Sequence, residues 1–250
     1  VQPVTPESRQ TVSLKYIRAI ARLIFPFLSQ PVAPATLDAM AKATFDQVVK
    51  MRNDFVALAA QGYAAQMGMP SVPSVKELPP TRAYYLEDWR KAVGKAFHEY
   101  GDMPTDTVVD RANLSRTLVR ADLHGRNAER NQMVAIAVHD EQIKGWARVD
   151  FVPPTCPLCR ITISRGPVYT SEEAAGGDGN TYHGGCTCEV VLVRYGQEDS
   201  WPGRELYLAE QQRYKDAGGA KAYRLAVAKA NEPFAQDGAT KKAADKAAGN

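Results

Sequence analysis

Cys156-Pro157-Leu158-Cys159, followed after 23 residues by His183-Gly184-Gly185-Cys186-Thr187-Cys188, is the stretch on which the reading of this chain turns. It holds all 4 cysteines of the 250 residues and one of 4 histidines. Two chelating pairs on either side of a loop are how a polypeptide assembles a tetrahedral zinc site: each pair supplies neighbouring ligands, and the loop brings the pairs together. Thiolates suit zinc or iron better than magnesium or calcium. Zinc is therefore the expected cofactor, with Cys156, Cys159, His183, Cys186 and Cys188 as candidate ligands. Which four of the five bind stays open. Cys156, Cys159 and Cys186 are the most secure members. Cys188 joins them if the chain is already extended there, because residues two apart then face one side. His183 replaces a cysteine if the chain turns at Gly184-Gly185. With protein filling every position, the site is expected to be structural rather than catalytic.

Two disulfides and a redox pair are the competing readings. A Cys186–Cys188 bridge would close a very small strained ring, so disulfides would have to cross-pair. Cysteine is scarce for a disulfide scaffold, and the sequence as it stands shows no secretory leader. An isolated C-x-x-C could be a thioredoxin-type pair, but the second ligand cluster argues against that.

Working outward, Lys144 to Val152 alternates Trp146, Arg148 and Asp150 with Ala147, Val149 and Phe151, the pattern of a strand. It runs through Pro153-Pro154 into Cys156, which places the first ligand pair on the turn at its end. Ile161 to Val168 reads as a short extended or turn segment with a Gly166-Pro167 break. Glu172 to Asn180 is a Gly- and Ala-rich loop, and Glu189 to Val193 a second strand rich in β-branched residues. So short a sheet has little core of its own, which is why metal stapling would matter to it.

The N-terminal half is helical. Leu14, Ile17, Ala21 and Ile24 recur at helical spacing until Pro26. Thr36 is the expected N-cap of a second helix, in which Ala41, Thr44, Val48, Met51, Phe55 and Leu58 make a heptad seam ending around Gly68. An intramolecular bundle is expected in preference to an intermolecular coiled coil. Pro70, Pro73, Pro79 and Pro80 mark a linker. A third helix follows Thr81, with Leu86, Trp89, Val93 and Phe97 as its stripe. Thr105 to Val138 supports one long helix, or two broken at Gly125. Its Arg111, Arg116, Arg120, Arg126 and Arg130 alternate with acids, the pattern of a solvated surface. His98 and His124 are expected as packing or surface residues.

The expected fold class is α+β: a mainly helical N-terminal region, a small zinc-stapled α/β module, and a C-terminal helical tail. The expected divisions are N-terminal helices over 1–70, a linker over 71–80, and a helical region over 81–140. The metal-binding sheet module over 141–195, C-terminal helices over 196–233 and a flexible tail over 234–250 follow. Net charge is +3, mildly basic and not diagnostic of nucleic-acid binding. The most apolar run, Leu14 to Leu28, is interrupted by Arg18, Arg22 and Pro26, so no membrane span is expected.

The run G-W-A-R-V-D-F-V-P-P-T-C-P-L-C-R-I-T-I-S-R-G-P-V-Y (145–169), then Y-H-G-G-C-T-C-E-V-V-L-V (182–193), resembles the C-terminal region of phage Mu F-like minor head proteins. Those proteins pair a C-x-x-C and an Arg-Gly, here Arg165-Gly166, with an H-x-x-C-x-C that leads into a strand. Arg120, Asp122 and Asn127 on the preceding helix suit the same pattern, and the likeness covers about residues 110 to 195. It implies a non-enzymatic virion component inside the head, present in host cytoplasm during assembly. Its implied partners are the portal and/or the major capsid protein, and its implied roles are head assembly and genome packaging or ejection. Contact with packaged DNA, where it occurs, would use Lys241, Lys242 and Lys246 through phosphate charge alone.

Two other readings compete. His139-Asp140-Glu141 before Cys156-x-x-Cys159 echoes zinc deaminases. However, only 14 residues separate Glu141 from Cys156, Thr155 stands where that motif has Pro, and Cys186 and Cys188 are left unused. A zinc-stapled DNA-binding regulator is allowed by the cysteine spacing, but the linking loop carries Glu172, Glu173 and Asp178 rather than a basic recognition helix.

Overall fold

Thr44, Val48, Met51 and Phe55 have no exposed surface, and the bundle is built around this seam of the second helix. The computed structural model describes residues 1–98, 107–152, 157–170 and 186–230. The helices are α1 (Pro6–Ile24), α2 (Pro34–Met67), α3 (Leu86–His98) and α4 (Arg111–His139), then α5 (Pro157–Ile163), α6 (Arg204–Asp216) and α7 (Ala220–Ala230). Strands β1 (Ile143–Val149) and β2 (Glu189–Arg194) pair as a two-stranded sheet. The fold is therefore α+β, mostly helical with a small sheet and C-terminal helices. Two compact units divide it: Val1–Lys144 with Tyr169–Cys186, and Gly145–Val168 with Thr187–Asn250.

In the first unit the heptad seam of α2 packs within the chain, against α1, α3 and α4. Gly68 ends α2 in the left-handed conformation (φ 66°), where a side chain would clash with its own backbone. The helix begins three residues earlier than the Thr36 cap would place it. Its N-cap is Ala33, and the Thr36 hydroxyl instead donates to the Pro31 carbonyl at 3.0 Å. Thr44, the polar member of the seam, accepts the Trp89 indole N–H at 2.7 Å and donates to the Met40 carbonyl at 2.7 Å. That makes α3 dock in one register, with Trp89, Val93 and Phe97 buried as their spacing predicts.

Gly125 does not break the long helix. α4 runs uninterrupted, and a Cβ on Gly125 would lie 3.0 Å from the Met51 Cγ and the Phe55 ring. The glycine is there so that α2 and α4 can approach. On α1 the buried stripe is Arg9, Ser13, Tyr16, Ile20 and Ile24, rotated from the stripe read in the sequence, and Leu14 is exposed. The cause lies on α4. Arg9 Nε bonds both oxygens of Glu129 at 2.9 and 3.0 Å, and the Ser13 hydroxyl bonds Asp122, which also holds Arg126 at 2.9 Å. Buried carboxylates demand donors, and this overrides the purely apolar choice of face.

In the second unit β1 departs from the expected alternation, because Trp146, Ala147, Arg148 and Val149 are all buried. Ala147, Val149, Val191 and Val193 form a small core with Trp201. Gly203 (φ 85°) and Gly166 (φ 66°) close on that unit's side chains. A Cβ would lie 2.5 Å from Val149 Cγ1 at the first and 2.6 Å from the Tyr207 ring at the second. The Arg165-Gly166 of the motif thus has a steric reason for its glycine. Ile161 to Ile163, expected to be extended or a turn, is the end of helix α5. Cys159 and Ile163, four apart, are both buried on one face, so packing outweighs β-branched preference there. The expected tail, 234–250, lies outside the described residues.

Arg9 and Glu129 are each 9% exposed at the side chain, so removing one strands the other's charge. Arg9→Met is expected to lower stability by about 3–5 kcal/mol in urea unfolding, and Arg9→Met with Glu129→Leu to regain most of that loss. Burial, reinforced by Arg52 and Arg120, pushes His124 from its ordinary 6.5 down to about 4. The unfolded chain then binds more protons between those values, so stability is lost as pH falls from 6.5 towards 4. Thermal midpoints measured across that window should fall for the wild type and fall less steeply for His124→Phe.

Candidate metal centre

The sulfur atoms of Cys159, Cys186 and Cys188 lie within 4.8 Å of one another, all buried. Cys159 comes from α5, and Cys186 and Cys188 lie in the run that leads into β2. Tetrahedral zinc with bonds of about 2.3 Å sets its sulfurs about 3.8 Å apart, a spacing inside the limit that the three thiols keep. The donor set suits zinc in chemistry as well, being soft and shielded from bulk water. Cys156 and His183, the other two candidate ligands, lie outside the described residues. Cys186 and Cys188, two apart, do reach the same side, as an extended run requires.

The supports of this group come from several elements. Arg130 on α4 is only 4% exposed, which overturns the expectation of a solvated surface at that position. Its Nη1 donates to Asn127 Oδ1 at 3.0 Å and its Nη2 to the Cys186 carbonyl at 2.7 Å. Thr187, between two of the thiols, donates its hydroxyl to Asp150 Oδ1 at 2.8 Å. That oxygen also accepts the Val152 backbone N–H at 3.1 Å. α5 is held by the neighbour of Cys159. Arg160 Nε meets Glu210 of α6 at 3.2 and 3.3 Å, and Tyr223 of α7 donates to the same carboxylate at 2.6 Å. Burial and the Glu210 charge together push the Tyr223 hydroxyl well above the ordinary tyrosine range, so it stays a donor.

Sequence reading found the thiols but not these supports. Arg130 looked like one of five alternating arginines, and nothing in a residue's identity says that it is buried. Asp150 reads as the polar phase of a strand. The deaminase-type His139 is exposed and bonded through Nδ1 to the Ala135 carbonyl at 2.8 Å, while Asp140 accepts from Tyr63 at 2.8 Å. Neither belongs to the thiol group among the described residues.

The family model described as VG15 protein matches residues 7–217. The chain is similar to the Gene 15 protein of Mycobacterium phage D29, 29% identical over 133 residues, which are 41% of this chain and 48% of that protein. It is also similar to the Gene 15 protein of Mycobacterium phage L5, 30% identical over 128 residues, 36% of this chain and 43% of that protein. The chain spans about half the length of the curated relatives it matches. No solved structure matches it.

Serine does not replace a thiolate on zinc. Cys186→Ser and Cys156→Ser are each expected to drop metal content, by plasma mass spectrometry of chelator-free protein, from about one zinc per chain to a small fraction, with loss of thermal stability. Unchanged metal in both variants would remove these ligands from the site.

Proposed function

The chain belongs to the VG15 protein family, and from that premise we propose that it is a non-enzymatic minor head protein of a phage, of the Mu F-like kind. It acts inside the capsid, bound to the portal and/or the major capsid protein, in head assembly and in packaging or delivery of the genome. The observation that carries this reading is the convergence of Cys159, Cys186 and Cys188, thiols drawn from both halves of the motif on which the Mu F-like resemblance rests. The phage origin of the two Gene 15 proteins supports it. In this reading the group holds zinc as a staple, with its fourth position filled by Cys156 or His183. A site closed by four protein ligands has no open position for substrate or activated water, which favours structure over catalysis.

The small sheet gives the staple its purpose. One of its apolar clusters is Ala147, Val149, Val191, Val193 and Trp201, on a sheet of only two strands, where cross-linking by an ion would add stability to that of burial. No helix among the described residues is long and apolar enough to cross a membrane. Contact with packaged DNA would rest on the lysines at 241, 242 and 246, outside the described residues, and would weaken steeply with salt.

The test is mass spectrometry of density-purified virions and of DNA-free proheads from the encoding phage, with native mass spectrometry of the chain mixed with that phage's portal protein. The chain should be found in both particles in few copies per head and should bind the portal. Absence from both particles would refute the head assignment. Presence without portal binding would move the contact to the major capsid protein.

A further inference from the structure

We infer that Arg130, Thr187 and Asp150 are positioning residues for the thiol site: they set the run 186–188 so that its two cysteines meet Cys159 before any ion arrives. The inference rests on the metal reading of the three thiols and adds to it the residues that preorganise them. Two independent anchors act on this run. The first is on its backbone, where the buried Arg130 guanidinium, itself steadied by Asn127, donates to the Cys186 carbonyl at 2.7 Å. The second is on the side chain of the intervening residue, where Thr187 donates to Asp150 Oδ1 at 2.8 Å.

The geometry explains why the second anchor matters. Side chains of an extended run alternate, so fixing the middle one on one side commits its two neighbours to the other. Here those neighbours are Cys186 and Cys188, whose sulfurs both meet that of Cys159. Asp150 is suited to the task because it is 3% exposed and its Oδ1 also accepts the Val152 N–H, a second bond on the same oxygen.

Arg130 has an electrostatic part as well. A divalent ion with four thiolates carries a net charge of −2, and with three thiolates and a histidine −1. Such a charge in a buried site is favoured by a cation fixed nearby. Groups of this kind, bonded to ligands rather than to the ion, usually alter metal affinity by about 10–100-fold.

The experiment uses the full chain, titrated with cobalt(II) and followed by sulfur-to-cobalt charge-transfer absorption, then with zinc against a chromophoric chelator. Thr187→Val and Arg130→Met are each expected to weaken zinc about 10–100-fold and to speed its release, while the charge-transfer band stays. Arg130→Lys should recover part of the affinity. Thr44→Val, which removes the buried Trp89 bond within the bundle, should lower the melting temperature without changing affinity. A wild-type chain that shows no thiolate–cobalt band would overturn the metal reading and this inference together. A wild-type chain that binds, with both variants binding equally well, would overturn the positioning inference and leave the metal reading standing. If Arg130→Met does not fold, Thr187→Val decides, since it exchanges a hydroxyl for a methyl at nearly constant shape.

Discussion

Glu129 and Arg130 are neighbours on α4, both buried, and other parts of the first unit are arranged to answer them. A charge removed from water is tolerated only when a partner meets it with good geometry. Glu129 is met by Arg9, which turns α1 so that its Arg9–Ser13–Tyr16 face points inward and Leu14 points out. Arg130 is met by Asn127 and by the backbone of Cys186, which brings a segment 56 residues further along the chain to the same helix. One helix thus orients α1 with one residue and holds the Cys186 backbone with the next.

The apolar contacts give this helix its place, and the polar ones give it its rotation. Gly125 lets α4 lie close on Met51 and Phe55 of α2, a contact with little directional preference about the helix axis. Hydrogen bonds supply that preference: Arg52 to the His124 carbonyl at 2.8 Å, Gln132 to the Pro79 carbonyl at 2.8 Å, and Arg116 to the Ala96 carbonyl at 2.7 Å. The Pro-rich linker is tied down by the second of these rather than left to itself.

The second unit solves a different problem. Beside its buried apolar side chains it uses close approaches and a buried carboxylate. Gly166 and Gly203 admit Tyr207 and Val149, and Glu210 gathers Arg160, Arg213 and Tyr223 from three helices. Cys159 sits on the helix that this carboxylate holds through Arg160.

Periodicity and residue chemistry were enough, in the sequence by itself, to indicate the helices other than α5, the two strands, the heptad seam of α2 and the candidate thiols. These are local properties: spacing decides which residues share a face, and sulfur decides which ions they suit. Only the tertiary structure decided that Gly125 is a contact and not a break, that Ile161 to Ile163 belong to a helix, that β1 is buried on both faces, and that Arg130 leaves the solvent. Each of those depends on a partner far along the chain. Whether a glycine bends a helix or admits a neighbour, and whether an arginine faces water or a carbonyl, follows from what is packed against it, and no window of sequence contains that.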